Sequence, residues 1–556
     1  MSDTSSKPLR WRRWFTFSWS GLLGAVVFFC LSLTPSLLPR GPLLQGLVGG
    51  VLASIGYGIG VLARWCIRFL FENEPTAKVM RIAWWVLAGV GAVLIIVFLG
   101  LGAQWQAEIH RLVNEPEPDA TSPLVIVIVA ALIGFFLLVC GRGVRRFFRW
   151  VTRIASRRLP RKVSIAIGVV ASTLLVLLVL QGIMFDSFIA IANEVSSVNN
   201  GTTSPGISRN PSPLVSGGDG SLIKWDSIGR EGRDFIGGGP SVDDLTAFSN
   251  SPARQPIRVY AGIESAPTIR QRARLAVREL DRTNAWSRKV LLVVTTTGSG
   301  WVNANGAYPL EYMYNGDTAT VSMQYSYLPS WISFLADRSK AREAGRALFN
   351  EVYQAWAEKP EATRPKLLLY GESLGSYGTE AAFSGEADMK LRTNGVLLVG
   401  PPQVNPLHRE FTSDRDRDSP AWLPVYQNGR TIRFVANPPD LDRPDAPWPG
   451  TRVVYLQHAS DPIVFWTPRL ILRKPDWLRE QRGPDVSPAT RWFPFVTFFQ
   501  VTVDMMFSNS VPPGHGHRYG TLTVDAWRKI APPADWSDAK NDQLKQVLVT
   551  RGWTAS

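Results

Sequence analysis

Beyond Cys140 the chain contains no cysteine, and the three it has, Cys30, Cys66 and Cys140, lie in or beside apolar runs. The long C-terminal stretch therefore has no disulfide framework and no thiolate metal site; packing must hold it, in either redox compartment. Histidine is nearly as scarce, with five in 556 residues, so imidazole chemistry is confined to few positions. The longest apolar runs have no Asp, Glu, Lys or Arg in their central parts, which argues against an ion or substrate path through a membrane. The Gly-rich stretch at 295–300 lacks the Lys-Ser or Lys-Thr ending of a nucleotide P-loop. No metal or cofactor is expected.

What is present divides the chain into unlike parts. Five apolar stretches, at 15–33, 43–63, 82–103, 124–140 and 163–185, approach the length of about 20 residues that crosses a bilayer. The fourth is the shortest. They lack the polar face of a soluble surface helix. The net charge of +15 is concentrated beside them: residues 1–162 carry 19 Lys or Arg against 7 Asp or Glu, and the rest of the chain carries 41 against 38. This is the charge pattern of membrane topology. Nucleic acid is not an expected partner, because no basic face or binding motif occurs in the C-terminal part.

Basic residues also set an orientation. Lys7, Arg10, Arg12 and Arg13 precede the first span; Arg64, Arg68, Lys78 and Arg81 follow the second; nine Lys or Arg between Arg142 and Lys162 follow the fourth. The loop after the third span holds Glu108, Glu115, Glu117 and Asp119. Basic loops stay in the cytoplasm. The expectation is a cytoplasmic N-terminus, an uncleaved first span, five crossings, and everything beyond residue 185 outside. The domains expected are a multi-span membrane domain at 1–190, a linker and packing segment at 191–256, and a catalytic domain at 257–556. The linker is rich in Asn, Ser, Gly and Pro, and its later part, "WDSIGREGRDFIGGGPS", has the aromatics and paired charges to pack onto its neighbour.

From residue 257 short apolar strands alternate with helical patterns: "IRVYAGI", "KVLLVVTTTG", "TATVSMQYS", "KLLLYGESLG", "GVLLVGPP" and "RVVYLQHASD". Continuous apolar strands separated by helices predict a mainly parallel sheet covered on both faces. Such sheets place their active sites at the carboxyl ends of the strands.

Gly371-Glu372-Ser373-Leu374-Gly375 matches G-x-S-x-G, follows an apolar strand and precedes a helix-compatible run. The pattern puts a serine hydroxyl on a sharp strand-to-helix bend, where flanking glycines avoid a clash. Ser373 is the candidate nucleophile. In this fold an acid and then a histidine follow the serine. His110 lies in the membrane half and His458 inside a strand end, and His408 precedes any plausible acid. His515 and His517, in "PPGHGHRYG", remain, with His517 preferred as the nearer to the last helical stretches. Asp461, at the end of the strand "RVVYLQ", is the candidate acid; Asp440, Asp442 and Asp504 are rivals. The oxyanion hole needs two N–H groups. Leu374 supplies one, and Thr297 or Gly298, in the loop after "KVLLVV", the other.

These motifs carry a resemblance. "LTPSLLPRG" at 33–41, "GREGRDFIGGGP" at 229–240, "TTTGSGWV" at 295–302, "YGESLGSYG" at 370–378, "QHASDPIV" at 457–464 and "PPGHGHRYG" at 512–520 make the chain similar to a bacterial membrane-anchored α/β-hydrolase family. The resemblance covers most of the chain. It implies a helical transmembrane domain followed by an α/β-hydrolase domain with a mainly parallel sheet, and a serine hydrolase; it does not supply a substrate. The function expected is an esterase on a lipid or envelope ester at the extracytoplasmic face, with membrane lipids and an acyl ester as partners. An acyltransferase with the same triad, a non-catalytic binding or transport module and a tethered protease are the alternatives. The Pro-rich segment 403–450, with Trp422 and Trp448, suggests a lid. The apolar stretch 490–507 suggests a pocket wall, a bilayer contact or plain core.

Overall fold

The computed structural model of the chain describes residues 17–70, 76–117 and 122–555. Lys7, Arg10, Arg12, Arg13, Asp119 and the start of the first expected span lie outside the described residues. The chain forms two compact units. One takes the described residues up to Leu178 with Pro468–Lys474 and Ser487–Asp504; the other takes Val179–Thr467, Pro475–Val486 and the residues from Met505 on.

The first unit is helical. Helix α1 is Trp19–Ser32, α2 is Pro42–Leu70, α3 is Ala77–Leu112, α4 is Pro123–Ala155, and α5 begins at Arg161 and runs to Asn200 with a π-helical stretch at Leu178–Phe185. α2 to α5 are long and apolar enough to cross a membrane. α1 is apolar but has 14 residues, about 21 Å at 1.5 Å per residue. Among the described helices four thus have the length and composition of a full crossing, where the sequence suggested five. Large apolar side chains face outward along them, with Ile96 at 69% and Leu132 at 64% exposure. Surface of that kind fits lipid and not water.

Glycines let these helices touch. A Cβ at Gly56 would stand 2.2 Å from the Gly24 carbonyl oxygen, and one at Gly60 2.0 Å from that of Ser20. The backbones of α1 and α2 therefore meet directly. On the opposite side of α2, Gly46 and Gly50 face Val129, Ala130 and Ile133 of α4. Small residues that admit close backbone approach are the usual basis of helix association in lipid.

The helix Val496–Met506 answers for the apolar stretch at 490–507: Val496 is buried against Val48 and Leu52 of α2. Asp504, near its end, forms a buried ion pair with Arg40 (3.1 Å) and accepts from the Leu37 N–H (3.1 Å). Gln500 Nε2 donates to the Thr34 carbonyl at 2.7 Å. The motif "LTPSLLPRG" is thus the seat of this helix. Taking one partner from such a buried pair costs about 3–5 kcal/mol, because the other charge stays behind unpaired.

The second unit holds a seven-stranded parallel sheet: β1 Ile257–Ala261, β2 Val290–Thr295, β3 Thr318–Met323, β4 Lys366–Glu372, β5 Gly395–Val399, β6 Ile432–Val435 and β7 Arg452–Leu456, in the order β1-β3-β2-β4-β5-β7-β6. Every residue of β1, β2, β3 and β5 is buried, so both faces are covered, as the unalternating apolar runs require. Chain order reverses at β2, which lies between β3 and β4. The crevice beyond the carboxyl ends of β2 and β4 is then the favoured place for a site.

The segment at 229–240 packs as its composition suggests. Helix Arg230–Gly237 buries Arg233, Phe235 and Ile236. Arg258 of β1 donates to the Ile236 and Pro240 carbonyls and to Glu311. Gly239 has no room for a Cβ, which would lie 2.4 Å from the Arg258 guanidinium carbon. Segment 403–450 is less irregular than the sequence suggests: it contains helix Pro406–Ser413 and β6. Trp448 is buried, stacks under Arg433 (4.3 Å) and donates to the Thr431 carbonyl (3.0 Å), so it belongs to the sheet edge. Asp337, which precedes helix Arg338–Ala357, makes no side-chain cap bond; its carboxylate accepts from Ser326 at 2.6 Å.

Candidate active site

Ser373 is the single residue between β4 and helix Leu374–Glu380. Its φ of 52° and ψ of −124° lie where L-residues rarely go, a strained setting typical of functional sites. The neighbours explain the two glycines. A Cβ on Gly371 would stand 2.5 Å from Thr379 Oγ1, and one on Gly375 2.4 Å from the Thr295 carbonyl. The bend is therefore wedged against the end of β2. The Ser373 N–H donates to the Val399 carbonyl of β5 at 2.8 Å.

Asp461 caps a short helical turn after β7, with Oδ1 accepting from the Ile463 N–H at 2.9 Å. Its other oxygen accepts from His517 Nδ1–H at 2.7 Å and from the Tyr519 hydroxyl at 2.7 Å. Asp461 is fully buried and His517 is 5% exposed. Burial works against a charged imidazole. The Asp461 carboxylate, its hydrogen bond and the nearby Glu372 outweigh burial, and His517 titrates above the usual histidine range. With Nδ1 committed, Nε2 is left buried and without a hydrogen-bond partner among the described residues. The ring lies on Gly400, where a Cβ would come within 2.3 Å of Cε1. Gly400 follows Val399, so His517 and Ser373 flank one turn at the end of β5.

The other histidines are accounted for differently. His515 Nδ1 is 3.5 Å from Asp485 Oδ2. His408 Nε2–H donates to Gln457 at 2.7 Å, and burial lowers its pKa to about 4. His458 Nδ1–H donates to the Gly516 carbonyl at 2.9 Å, and its ring stacks on Tyr519. His110 lies on α3 near Glu115. Among the rival acids, Asp440 accepts from the N–H groups of Ala436 and Asn437, Asp442 pairs with Lys529, and Asp504 pairs with Arg40.

Two of the expected oxyanion donors need correction. The Thr297 N–H donates to the Trp301 carbonyl (3.1 Å) and the Gly298 N–H to the Tyr325 hydroxyl (3.0 Å). Both main-chain N–H groups are therefore engaged, the first inside its own turn and the second by a side chain beyond β3. The Thr297 hydroxyl, by contrast, is buried without a partner among the described residues. Thr295 of β2 is paired in register with Gly371 of β4, so Thr297 and Ser373 each stand two residues beyond matched positions. Leu374 opens its helix, where the first N–H groups have no partner within the helix.

The sequence did not single out Glu372, Asn303 or Tyr519. Glu372, the variable residue before the serine, is buried and accepts from Asn303 Nδ2 (2.8 Å) and from the Tyr370 hydroxyl. Burial raises its pKa, while His517 pulls the other way. A carboxylate in the middle of G-x-S-x-G was the available signal. Among the described residues no cluster of His, Cys, Asp and Glu could hold a metal ion.

Two family models match the chain. One, described as "Alpha/beta-hydrolase family", covers residues 257–544, and the other, described as "Alpha/beta-hydrolase family N-terminus", covers residues 33–240. No curated protein and no solved structure matches it.

Proposed function

Because the chain belongs to the alpha/beta-hydrolase family, we propose that it is a membrane-embedded serine hydrolase that cleaves lipid or envelope esters through an acyl-enzyme. The observation that carries the reading is the Asp461–His517 pair beside a strained Ser373. His517 Nε2 takes the Ser373 proton as Oγ attacks the ester carbonyl, and Asp461 holds the tautomer and stabilises the imidazolium. The developing oxyanion takes a hydrogen bond from the Leu374 N–H and a second from the Thr297 hydroxyl. The imidazolium then protonates the departing alkoxide, which leaves Ser373 acylated. Water, or an acceptor hydroxyl in an acyltransferase, resolves that intermediate.

The test is acyl release. Purified protein in detergent, given a phosphoglyceride, is expected to liberate fatty acid, and Ser373→Ala is not. Addition of a glycerol or sugar acceptor separates the two outcomes, because a transferase diverts the acyl group into a new ester. Equal release by wild type and Ser373→Ala would end this reading.

We also propose that the second unit faces outward. The nine Lys or Arg between Arg142 and Lys162 hold the α4–α5 connection in the cytoplasm. One crossing by α5 then leads outside, whether or not α1 spans. A periplasmic-type reporter fused after residue 556 is expected to be active and a cytoplasmic one silent; the reverse pattern would move the site indoors.

A further inference from the structure

α2 and α4 run in parallel and touch at Gly46 and Gly50, where a Cβ would meet Val129, Ala130 or Ile133 within 3 Å. Further along they separate. A Cβ at Gly134 would already have 3.8 Å to its nearest neighbours on α2, and Cβ atoms at Gly58 and Gly141 would meet nothing within 4 Å. The gap is a cleft of about 900 Å³, walled by Ser54, Tyr57 and Val61 of α2, by Leu137 and Leu138 of α4, and by Phe17 beside α1. Beside Ser18 and Trp150, its remaining wall is a row of arginines on α4: Arg142, Arg145, Arg146, Arg149 and Arg153. Their spacing of three and four residues puts them on one helix face, and among the described residues no Asp or Glu lines the cleft.

We propose that this cleft binds an anionic phosphoglyceride, with its phosphate among the arginines and an acyl chain along Val61, Leu137 and Leu138. Depth supports a lipid over a soluble anion. α4 starts at Pro123, and 19 residues at 1.5 Å place Arg142 about 28 Å along the helix, at the end of a hydrocarbon core of about 30 Å. The arginine row therefore begins at headgroup level, and the apolar wall lies on the hydrocarbon side of it. Topology alone asks only for basic residues somewhere in the cytoplasmic connection, a need that Arg157, Arg158, Arg161 and Lys162 already serve from outside the cleft. Guanidinium groups also bind phosphate in a bidentate way that suits a fixed headgroup.

The experiment uses the full chain carrying Ser373→Ala, which leaves lipid uncleaved, purified in neutral detergent and exposed to phosphatidylglycerol, phosphatidylcholine, or inorganic phosphate. Native mass spectrometry reads the lipid retained, and a thermal melt reads protection. Phosphatidylglycerol is expected to be retained and to raise the melting temperature; phosphatidylcholine and phosphate are not. Arg145→Gln with Arg149→Gln should weaken retention by about fivefold per arginine. Arg157→Gln with Arg158→Gln, outside the cleft, should leave it unchanged. Gly141→Trp, which fills the cleft and keeps every charge, should abolish retention, and it decides the matter should the arginine pair fail to fold. Three results would overturn the proposal: phosphate protecting as well as the lipid, the outer arginine pair mattering as much as the inner one, or Gly141→Trp retaining the lipid.

Discussion

Ser373→Ala is expected to abolish covalent labelling by a fluorophosphonate in a protein that remains folded. The reagent reacts with a serine whose hydroxyl is activated by a neighbouring base, and not with ordinary surface serines. Ser373 is 9% exposed, at the end of β4, with Asp461 and His517 assembled beside the turn that accepts its N–H. Purified wild type should take label at one site. The substitution removes a single oxygen and leaves a Cβ in the same strained backbone, so stability should change by about 1 kcal/mol or less. Ser373→Gly makes a useful companion: it should also lose the label, yet match or exceed wild type in stability, because glycine populates positive φ without strain. Loss of label without loss of the thermal transition identifies the nucleophile. A folded wild-type protein that takes no label at neutral pH would displace the hydrolase reading in favour of a binding module.

Much of this was legible in the sequence because it depends on local pattern. Apolar runs such as "KVLLVV" and "GVLLV" are buried on both faces in the sheet, and Ser373 sits on the bend that Gly371 and Gly375 announce. Chain order, a strand end and nearness to the last helix make Asp461 and His517 the candidates, and the structure brings their side chains to 2.7 Å. What the sequence could not convey was partnership over distance. Asp504 looked available as an acid until Arg40, far away in the chain, appeared as its partner. β6 was hidden by the prolines around it, since "TIRFVANPP" offers only four strand residues before a break. Thr297 and Gly298 stand in the loop after β2, as expected, but which of their polar groups is engaged depends on Trp301 and Tyr325. A Gly-rich loop predicts close backbone approach; it does not say what the backbone approaches.

Glu372 shows the same limit from another side. Nothing in the motif distinguishes its side chain from a solvated one. Only the fold reveals that it is buried between Asn303 and Tyr370, close enough to His517 to favour the imidazolium. The site thus holds two carboxylates of unlike standing. Asp461 touches the His517 imidazole directly, and Glu372 acts on it through space.

That arrangement gives the histidine pair a sharp expected contrast. His517→Ala should lower kcat by about a thousandfold or more, because Ser373 then has no proton acceptor and only oxyanion stabilisation and binding remain. His515→Ala should change it by no more than a few fold, since that ring stands beside Asp485 and leaves the Asp461 bond intact. The pH profile separates a base from a merely structural histidine. A base must be neutral to accept the serine proton. His517 is raised above the usual histidine range, so kcat/KM should climb with pH through a midpoint above about 6.5, the unperturbed value. Removing the carboxylate charge by Asp461→Asn should move that midpoint down while lowering the rate, and Glu372→Gln should move it down by less. Tyr519→Phe, which takes one hydrogen bond from Asp461, serves as the control for local packing, with the histidine still held. A midpoint that ignores Asp461→Asn, or equal small losses from His515→Ala and His517→Ala, would show that neither imidazole is the base and that Ser373 is activated by some other group.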